Sequence, residues 1–152
     1  MIEPLVDLIR TEVLAPQAAD TTPADRRLYP DPDRAPLDVS LQTADVAPVS
    51  STPVAAEIGA PGEVGRMTLE HVLMLVVAIQ SDTRGDAEHR RDPIVTDLMR
   101  RAARLDWTNA LPPDSDHEVS SATWIVDYTD LEAEQHAAWA TLTFTIRTEW
   151  TL

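Results

Sequence analysis

The sequence contains no cysteine and no lysine among its 152 residues. Without cysteine, the chain can form neither a disulfide framework nor a thiolate metal site, and it has no catalytic thiol. The longest apolar run, VLMLVVAI at residues 72–79, is far too short to span a bilayer. The N-terminus lacks the basic flank and small-residue cleavage site of a signal peptide. These absences predict a protein that is soluble, contacts no membrane and is not secreted by the usual route.

Acidic residues outnumber basic ones by 26 to 12, which gives a formal net charge of -14. All 12 basic residues are arginine. High-GC coding can replace lysine by arginine, but it does not explain the acid excess. Acidic surfaces without lysine fit proteins that work in multimolar salt, where self-repulsion is screened. The composition therefore predicts a halophilic source and argues against general binding to nucleic-acid phosphates.

The first half of the chain predicts one helix, one strand and a long loop within a single domain, residues 1–152. Apolar residues recur at helical spacing from Ile2 to Val13, which predicts an amphipathic helix. After a Pro- and Asp-rich connection, LDVSLQTA at residues 37–44 predicts a strand. Residues 45–65 are rich in proline and glycine, which predicts a long loop or projecting arm. Their glycine spacing does not match a phosphate-binding loop.

The second half predicts a strand, a helix and a hairpin. Residues 67–81 are apolar on both faces, which predicts a central strand buried on both faces. Asp92 and Pro93 predict the N-cap and first position of a helix. Alternating segments at 119–130 and 139–150, connected by residues 131–138, predict an antiparallel hairpin. The element order predicts an α+β fold, in which two helices pack on one face of a mixed or antiparallel sheet of about four strands. The buried stripe of the second helix is Ile94, Leu98, Ala102 and Leu105.

The closing strand alternates apolar and polar residues with a period of two. Its predicted core face carries Ala140, Leu142, Phe144 and Ile146, with Trp150 as a further candidate. Its other face is rich in threonine, which suits a surface that is wet, faces a pore or meets another subunit. That face carries Trp139, Thr141, Thr143, Thr145, Arg147 and Glu149.

The sequence offers few groups with the spacing that chemistry requires. Its four histidines are scattered, and His71 is predicted to be a hydrogen-bonded strand histidine near the sheet end. Asp114, Asp116 and Glu118 alternate as hard-cation ligands can, but so acidic a chain contains such a triplet by chance. No nucleophile elbow of the GxSxG type is present. The sequence therefore predicts no enzyme, no metal site and no cofactor.

The order of these elements resembles the tail terminator proteins of long-tailed phages and related archaeal viruses. The resemblance covers the first helix, the Pro-rich crossing, HVLMLVVAIQSDTRGDAEHRRDPIVTDLMRRAARL at 71–105 and WATLTFTIRTEW at 139–150. It is one of pattern: a strand that begins at His71, a polar Gly-containing turn at 82–86 and a closing aromatic and polar run. The chain departs from the family in its 45–65 segment and its acid excess.

The resemblance implies a virion protein that forms a ring, of six subunits, on the last ring of the tail tube. Such a ring stops tube growth and joins the tail to the neck. The implied partners are further copies of the chain, the major tail tube protein and a neck or stopper protein, with assembly in the host cytoplasm. DNA would pass through the lumen without specific binding.

This reading assigns two groups of residues to assembly. The threonine-rich face of the closing strand would meet a neighbour or the lumen. The second helix would offer interface charges, although a solvated helix face explains them equally well. These charges are Arg100, Arg101 and Arg104.

Two alternatives stay open. The chain could be another neck component, such as a head-completion adaptor, stopper or tail-completion protein. It could also be a small ligand-binding or regulatory α+β domain of a halophile, with a pocket between sheet and helices.

Overall fold

A computed structural model describes residues 2–14, 42–113, 115–128 and 137–151. The strands form one antiparallel sheet in the order β1-β2-β4-β3, and the helices pack on one of its faces. The predicted α+β fold is therefore confirmed. The elements are α1, Glu3–Leu8; a π-helical segment, Ile9–Leu14; β1, Gln42–Glu57; β2, Arg66–Gln80; α2, Arg84–Arg104; a short 3-10 helix, Trp107–Asn109; β3, His117–Asp127; and β4, Ala137–Thr151.

Several predictions concern residues outside the described ranges. The Pro- and Asp-rich connection and the start of the strand predicted at 37–44 lie outside the described residues. The same holds for the connection between the last two strands and for Asp114.

The core lies between the helices and the central pair of strands, β2 and β4. Leu73 faces Phe144 and Leu75 faces Leu142 across this pair. All four side chains are fully buried, and burial of each is worth about 1.5 to 3 kcal/mol. The predicted alternation of the closing strand is confirmed, because its predicted core residues from Ala140 to Ile146 are fully buried. Trp150, the further candidate on this face, is half-buried.

The N-terminal helix buries one apolar stripe against this core, as predicted. Leu5, Val6, Ile9 and Val13 are buried. The helix widens to π geometry from Ile9 onward. The Thr11 hydroxyl donates to the Asp7 carbonyl at 2.9 Å within this wider segment.

Helix α2 begins about two turns earlier than predicted, and the expectation that Asp92 caps it is wrong. The N-cap is Thr83, whose side chain accepts a hydrogen bond from the Asp86 amide at 3.2 Å. Ion pairs at i,i+4 spacing, such as Arg84 with Glu88 at 3.1 Å, support the first turns. The helix therefore runs through Pro93, although proline supplies no N–H there. Of the predicted stripe, Ile94, Leu98 and Ala102 are buried and Leu105 is half-buried.

Most of the segment predicted to be a long loop or arm is strand, so this prediction is corrected. Residues 45–57 belong to β1, and only 58–65 form the turn to β2. Proline is tolerated in β1 because an edge strand need not donate on its outer side. The pairing of β1 with β2 shifts register at two bulges, which lie between Pro48 and Ser50 and between Pro53 and Ala55. At the turn, Gly62 has a φ of 89°, which favours glycine.

Strand β2 was expected to be buried on both faces, and this holds for one face only. Its odd-numbered residues from Leu69 to Ile79 are buried under the helices, whereas its even-numbered residues from Thr68 to Ala78 are half-buried. The cause is that none of the described elements covers the second face. In the described part of the chain, every helix lacks the length and apolar character needed to cross a membrane.

Candidate assembly surface

The sheet face opposite the helices, here called the open face, brings an apolar row and a threonine row together. Each apolar side chain of β2 lies directly across from a residue of β4. All of these residues are half-buried rather than fully exposed. The cross-strand pairs are Val72 with Thr145, Met74 with Thr143, Val76 with Thr141 and Ala78 with Trp139.

Within the open face, the β2 residues from Val72 to Ala78 and the β4 residues from Trp139 to Thr145 carry no charge, although the chain as a whole carries -14. Carboxylates flank them on the outer strands, where Asp45 lies opposite Val76 and Asp127 opposite Thr141.

At one end of these rows, Glu70 faces Arg147 and the two side chains pair at 3.0 Å between Oε2 and Nε. Glu149 follows on the same face, opposite Thr68. On β3, Ile125 continues the apolar surface and is 70% exposed. Apolar surface that is low in charge and rimmed by polar groups is typical of protein contacts.

The structure places all six residues of the predicted threonine-rich face on the open face of the sheet. Trp139, Thr141, Thr143 and Thr145 lie in its central part, and Arg147 and Glu149 lie at its end. What this face contacts in an assembly stays a prediction. The apolar row of β2 was not assigned to a surface from the sequence, because an apolar strand face predicts burial. None of the described elements covers that face.

The three arginines predicted as interface charges have different environments. Arg101 points inward, and its Nη1 donates to the Val13 carbonyl at 3.0 Å. Burial lowers the pKa of Arg101, and Asp97 partly offsets this effect. Arg100 lies 3.7 Å from Asp97 on the exposed side of the helix, and Arg104 is exposed. Arg101 therefore joins the N-terminal helix to α2, and only the other two lie on the outer surface of α2.

Arg91 was not singled out from the sequence, yet it connects three elements. It is 8% exposed, and its Nη1 donates to the Trp139 carbonyl at 3.2 Å. Its guanidinium also lies 4.6 Å from the ring centroid of Tyr128, which is cation-π geometry. Arg91 lies three residues before Ile94 and seven before Leu98, so it belongs to the buried stripe of α2. It was missed because the helix was predicted to begin at Asp92.

A hydrogen-bond network crosses three neighbouring strands, β1, β2 and β4. His71 is fully buried, and its Nδ1 lies 2.8 Å from the Ser51 hydroxyl of β1. Its Nε2 lies 2.9 Å from the Thr148 hydroxyl of β4. Burial lowers the pKa of His71, and the nearby His117 acts in the same direction. The predicted hydrogen-bonded strand histidine is confirmed.

A cleft of about 450 Å³ lies beside this network, between the β3–β4 end and residues 108–113. His117 stacks on Trp150 at its wall, with ring centroids 3.8 Å apart. Both ring nitrogens of His117 are buried without a hydrogen-bond partner among the described residues, and burial lowers its pKa. Asp116 and Glu118 line the rim. Among the described residues, no group of three histidines or carboxylates is placed to hold a metal ion.

No protein-family model matches the chain, and no curated protein matches it significantly. The resemblance to tail terminators therefore stays a prediction, and a functional proposal depends on the residues and the fold.

Proposed function

We propose that this chain is a structural virion protein that forms a ring at the head-proximal end of a viral tail tube, stopping tube growth and joining tail to neck. The observation that carries the proposal is the open face: its apolar row on β2 and threonine row on β4 carry no charge between Val72 and Ala78 and between Trp139 and Thr145, on a strongly acidic chain. The tail terminator pattern of the sequence supplies the kind of assembly. The partners are other copies of the chain, the tail tube protein and a neck protein.

The composition of the open face favours a protein contact over a lumen lining. Val72, Met74 and Val76 present a continuous apolar row, which loses contact with water when a neighbouring subunit covers it. A lumen that DNA crosses would instead keep charged or hydrated side chains exposed. In this proposal the acidic residues outside the open face supply the repulsion that lets DNA pass without binding.

A closed ring needs a heterologous contact repeated by rotation, so the open face meets a different surface on the next copy. The outer surface of α2 is a suitable partner because it carries exposed positive charges. Arg100 and Arg104 lie exposed near its C-terminal end. They complement the acidic rim of the open face, such as Glu149 and Asp127.

The rival ligand-binding role would require a pocket between sheet and helices. That space is filled by buried side chains such as Leu75, Leu98 and Phe144. The cleft at His117 lies instead at the end of the sheet and has an acidic rim. A specific small-molecule role therefore has less support than assembly.

Mass measurement in multimolar salt tests the ring. Light scattering coupled to gel filtration should detect particles of six times the 16.8 kDa chain mass, and negative-stain images should show rings. Met74→Glu should abolish the particles, because it places a charge in the centre of the open face. A wild-type chain that stays at 16.8 kDa at all concentrations and forms no ring would contradict the proposal.

The matched control is Ile58→Glu. Ile58 is 99% exposed in the turn between β1 and β2, away from the open face. This variant adds the same charge to the surface and should keep the ring. Far-UV circular dichroism of both variants should match the wild type, because neither residue lies in the core.

A further inference from the structure

The two edge strands of the sheet differ in whether they can accept another strand. An exposed edge offers unpaired N–H and C=O groups, and proteins block it with proline, bulges and charge. β1 contains Pro48 and Pro53 and two bulges within its 16 residues. This edge is therefore protected against pairing with another chain.

The edge of β3 has little of this protection. Its one bulge lies between Val119 and Ser121, and residues 121–127 pair regularly with β4. The sequence from 119 to 126, VSSATWIV, contains neither proline nor a charged residue. Among the described residues, no strand pairs with its outer side. Residues 121–127, here called the β3 edge, are thus open to strand addition.

The β3 edge is complementary to itself. Antiparallel pairing of two copies around a two-fold axis at Trp124 pairs all seven residues from 121 to 127. Thr123 then lies across from Ile125 of the second copy, a favourable pair of β-branched side chains. Asp127 lies across from Ser121, so no carboxylate faces another carboxylate. This matters in a chain of charge -14, in which most surfaces repel a second copy.

We infer that the β3 edge pairs with the β3 edge of a second copy, joining two sheets into one of eight strands. The occupant is a second copy of this chain because the register opposes no like charges and the other edge is blocked. The pair is a state of the subunit in solution and uses the backbone edge of β3, whereas the ring contact uses the side chains of the open face. Ile125 belongs to both, so a variant at β2 is needed to separate them. Seven paired residues bury less than the roughly 1,200 Å² of stable complexes, so the dimer should form at high micromolar concentration.

Cysteine cross-linking tests the register, and the chain has no cysteine to interfere. Thr123→Cys and Ile125→Cys chains are mixed and oxidised with diamide. Residues directly across a pair have Cβ atoms about 4.5 to 5.5 Å apart, whereas diagonal ones lie about 7 to 8 Å apart. The mixture should therefore give several-fold more disulfide dimer of twice 16.8 kDa than either variant alone. Equal or negligible cross-linking in all three samples would overturn the register.

Sedimentation of charge variants tests the edge itself. Ile125→Glu should shift dimerisation to at least tenfold higher concentration, since the two new carboxylates lie diagonally across the pair. Val49→Glu is the matched control, because Val49 is 54% exposed on the other edge strand and should keep wild-type dimerisation. Equal loss in both variants, or a wild-type monomer up to about 1 mM, would overturn the proposal.

A third variant separates this dimer from the ring. Met74→Glu lies on β2, two strands away from the β3 edge. It should abolish the ring and leave the dimer intact. If Met74→Glu also abolished the dimer, association would run through the open face, and the β3 edge would not be the contact.

Discussion

The hydroxyl of Thr148 lies 2.9 Å from Nε2 of His71 and accepts a hydrogen bond from Nε1 of Trp150 at 2.8 Å. Since Trp150 already donates to it, Thr148 satisfies both groups best by donating its own proton to His71. This assigns the remaining ring proton to Nδ1, which donates to Ser51 at 2.8 Å. A neutral imidazole completes the network, whereas a protonated one leaves Thr148 with two donors and no acceptor for its proton.

This relationship predicts a pH dependence of stability. Burial lowers the pKa of His71 in the folded chain, while the unfolded chain titrates near about 6.5. The unfolded state therefore binds more protons below that pH, and the stability contributed by neutral His71 is complete above about 6.5 and is lost as the pH falls. His71→Gln, which does not titrate, should show a smaller fall in urea midpoint from about pH 7.5 to 5.5.

The control for this prediction is His89→Gln, because His89 is exposed on α2. It should retain the wild-type fall, measured at constant salt so that screening does not change. An identical fall in wild type and His71→Gln would show that other groups cause the acid sensitivity.

Arg101 and Arg100 are neighbours in sequence with opposite roles, which makes them a matched pair. Arg101 donates to the Val13 carbonyl, and its loss leaves that carbonyl without its charged donor. Arg101→Ala should lower the free energy of unfolding by about 1.5 to 3 kcal/mol. Arg100→Ala removes an exposed ion pair and should change it by less than about 1 kcal/mol. Urea denaturation measures both, and similar losses would contradict the assignment.

Hydrophobic periodicity correctly predicted those parts of the fold that are determined within a single strand or helix. The alternation of the closing strand gave its buried face, from Ala140 to Ile146, because a sheet with helices on one side imposes a period of two. The helical stripe from Ile94 to Ala102 was equally clear. Both patterns arise locally, so neither requires knowledge of what packs against the segment.

The errors occur where tertiary contacts override a local signal. Pro48 and Pro53 indicated a loop, but pairing with β2 makes β1 an edge strand in which they are tolerated. Pro93 indicated a helix start, but the Thr83 cap begins α2 earlier. The apolar row of β2 indicated burial on both faces. This row is half-exposed because none of the described elements covers it, and a sequence pattern alone does not distinguish such a surface from a core.

Adjacent residues of β4 test the assignment of its two faces. Phe144 is fully buried and lies about 6 Å, by ring centroids, from both Trp107 and Trp124. Phe144→Ala should cost about 3 to 5 kcal/mol of unfolding free energy, through lost burial and the cavity that remains. Thr143→Ala, on the open face, should cost less than about 1 kcal/mol. Calorimetry or urea titration of the unassembled chain checks this, and a large loss in Thr143→Ala would place that residue in the core.

Replacement of Pro93 should stabilise the protein, in contrast to the preceding substitutions. Pro93 lies ten residues into α2, where proline is about 3 kcal/mol less favourable than alanine. Part of this cost is offset, because proline also lowers the conformational entropy of the unfolded chain, which stabilises the folded state by up to about 1 kcal/mol. Pro93→Ala should therefore raise the unfolding free energy by about 1 to 2 kcal/mol. Ala103→Pro, at an exposed position of the same helix, should lower it by about 3 kcal/mol. Destabilisation by Pro93→Ala would mean that the proline ring contributes packing that exceeds its backbone cost.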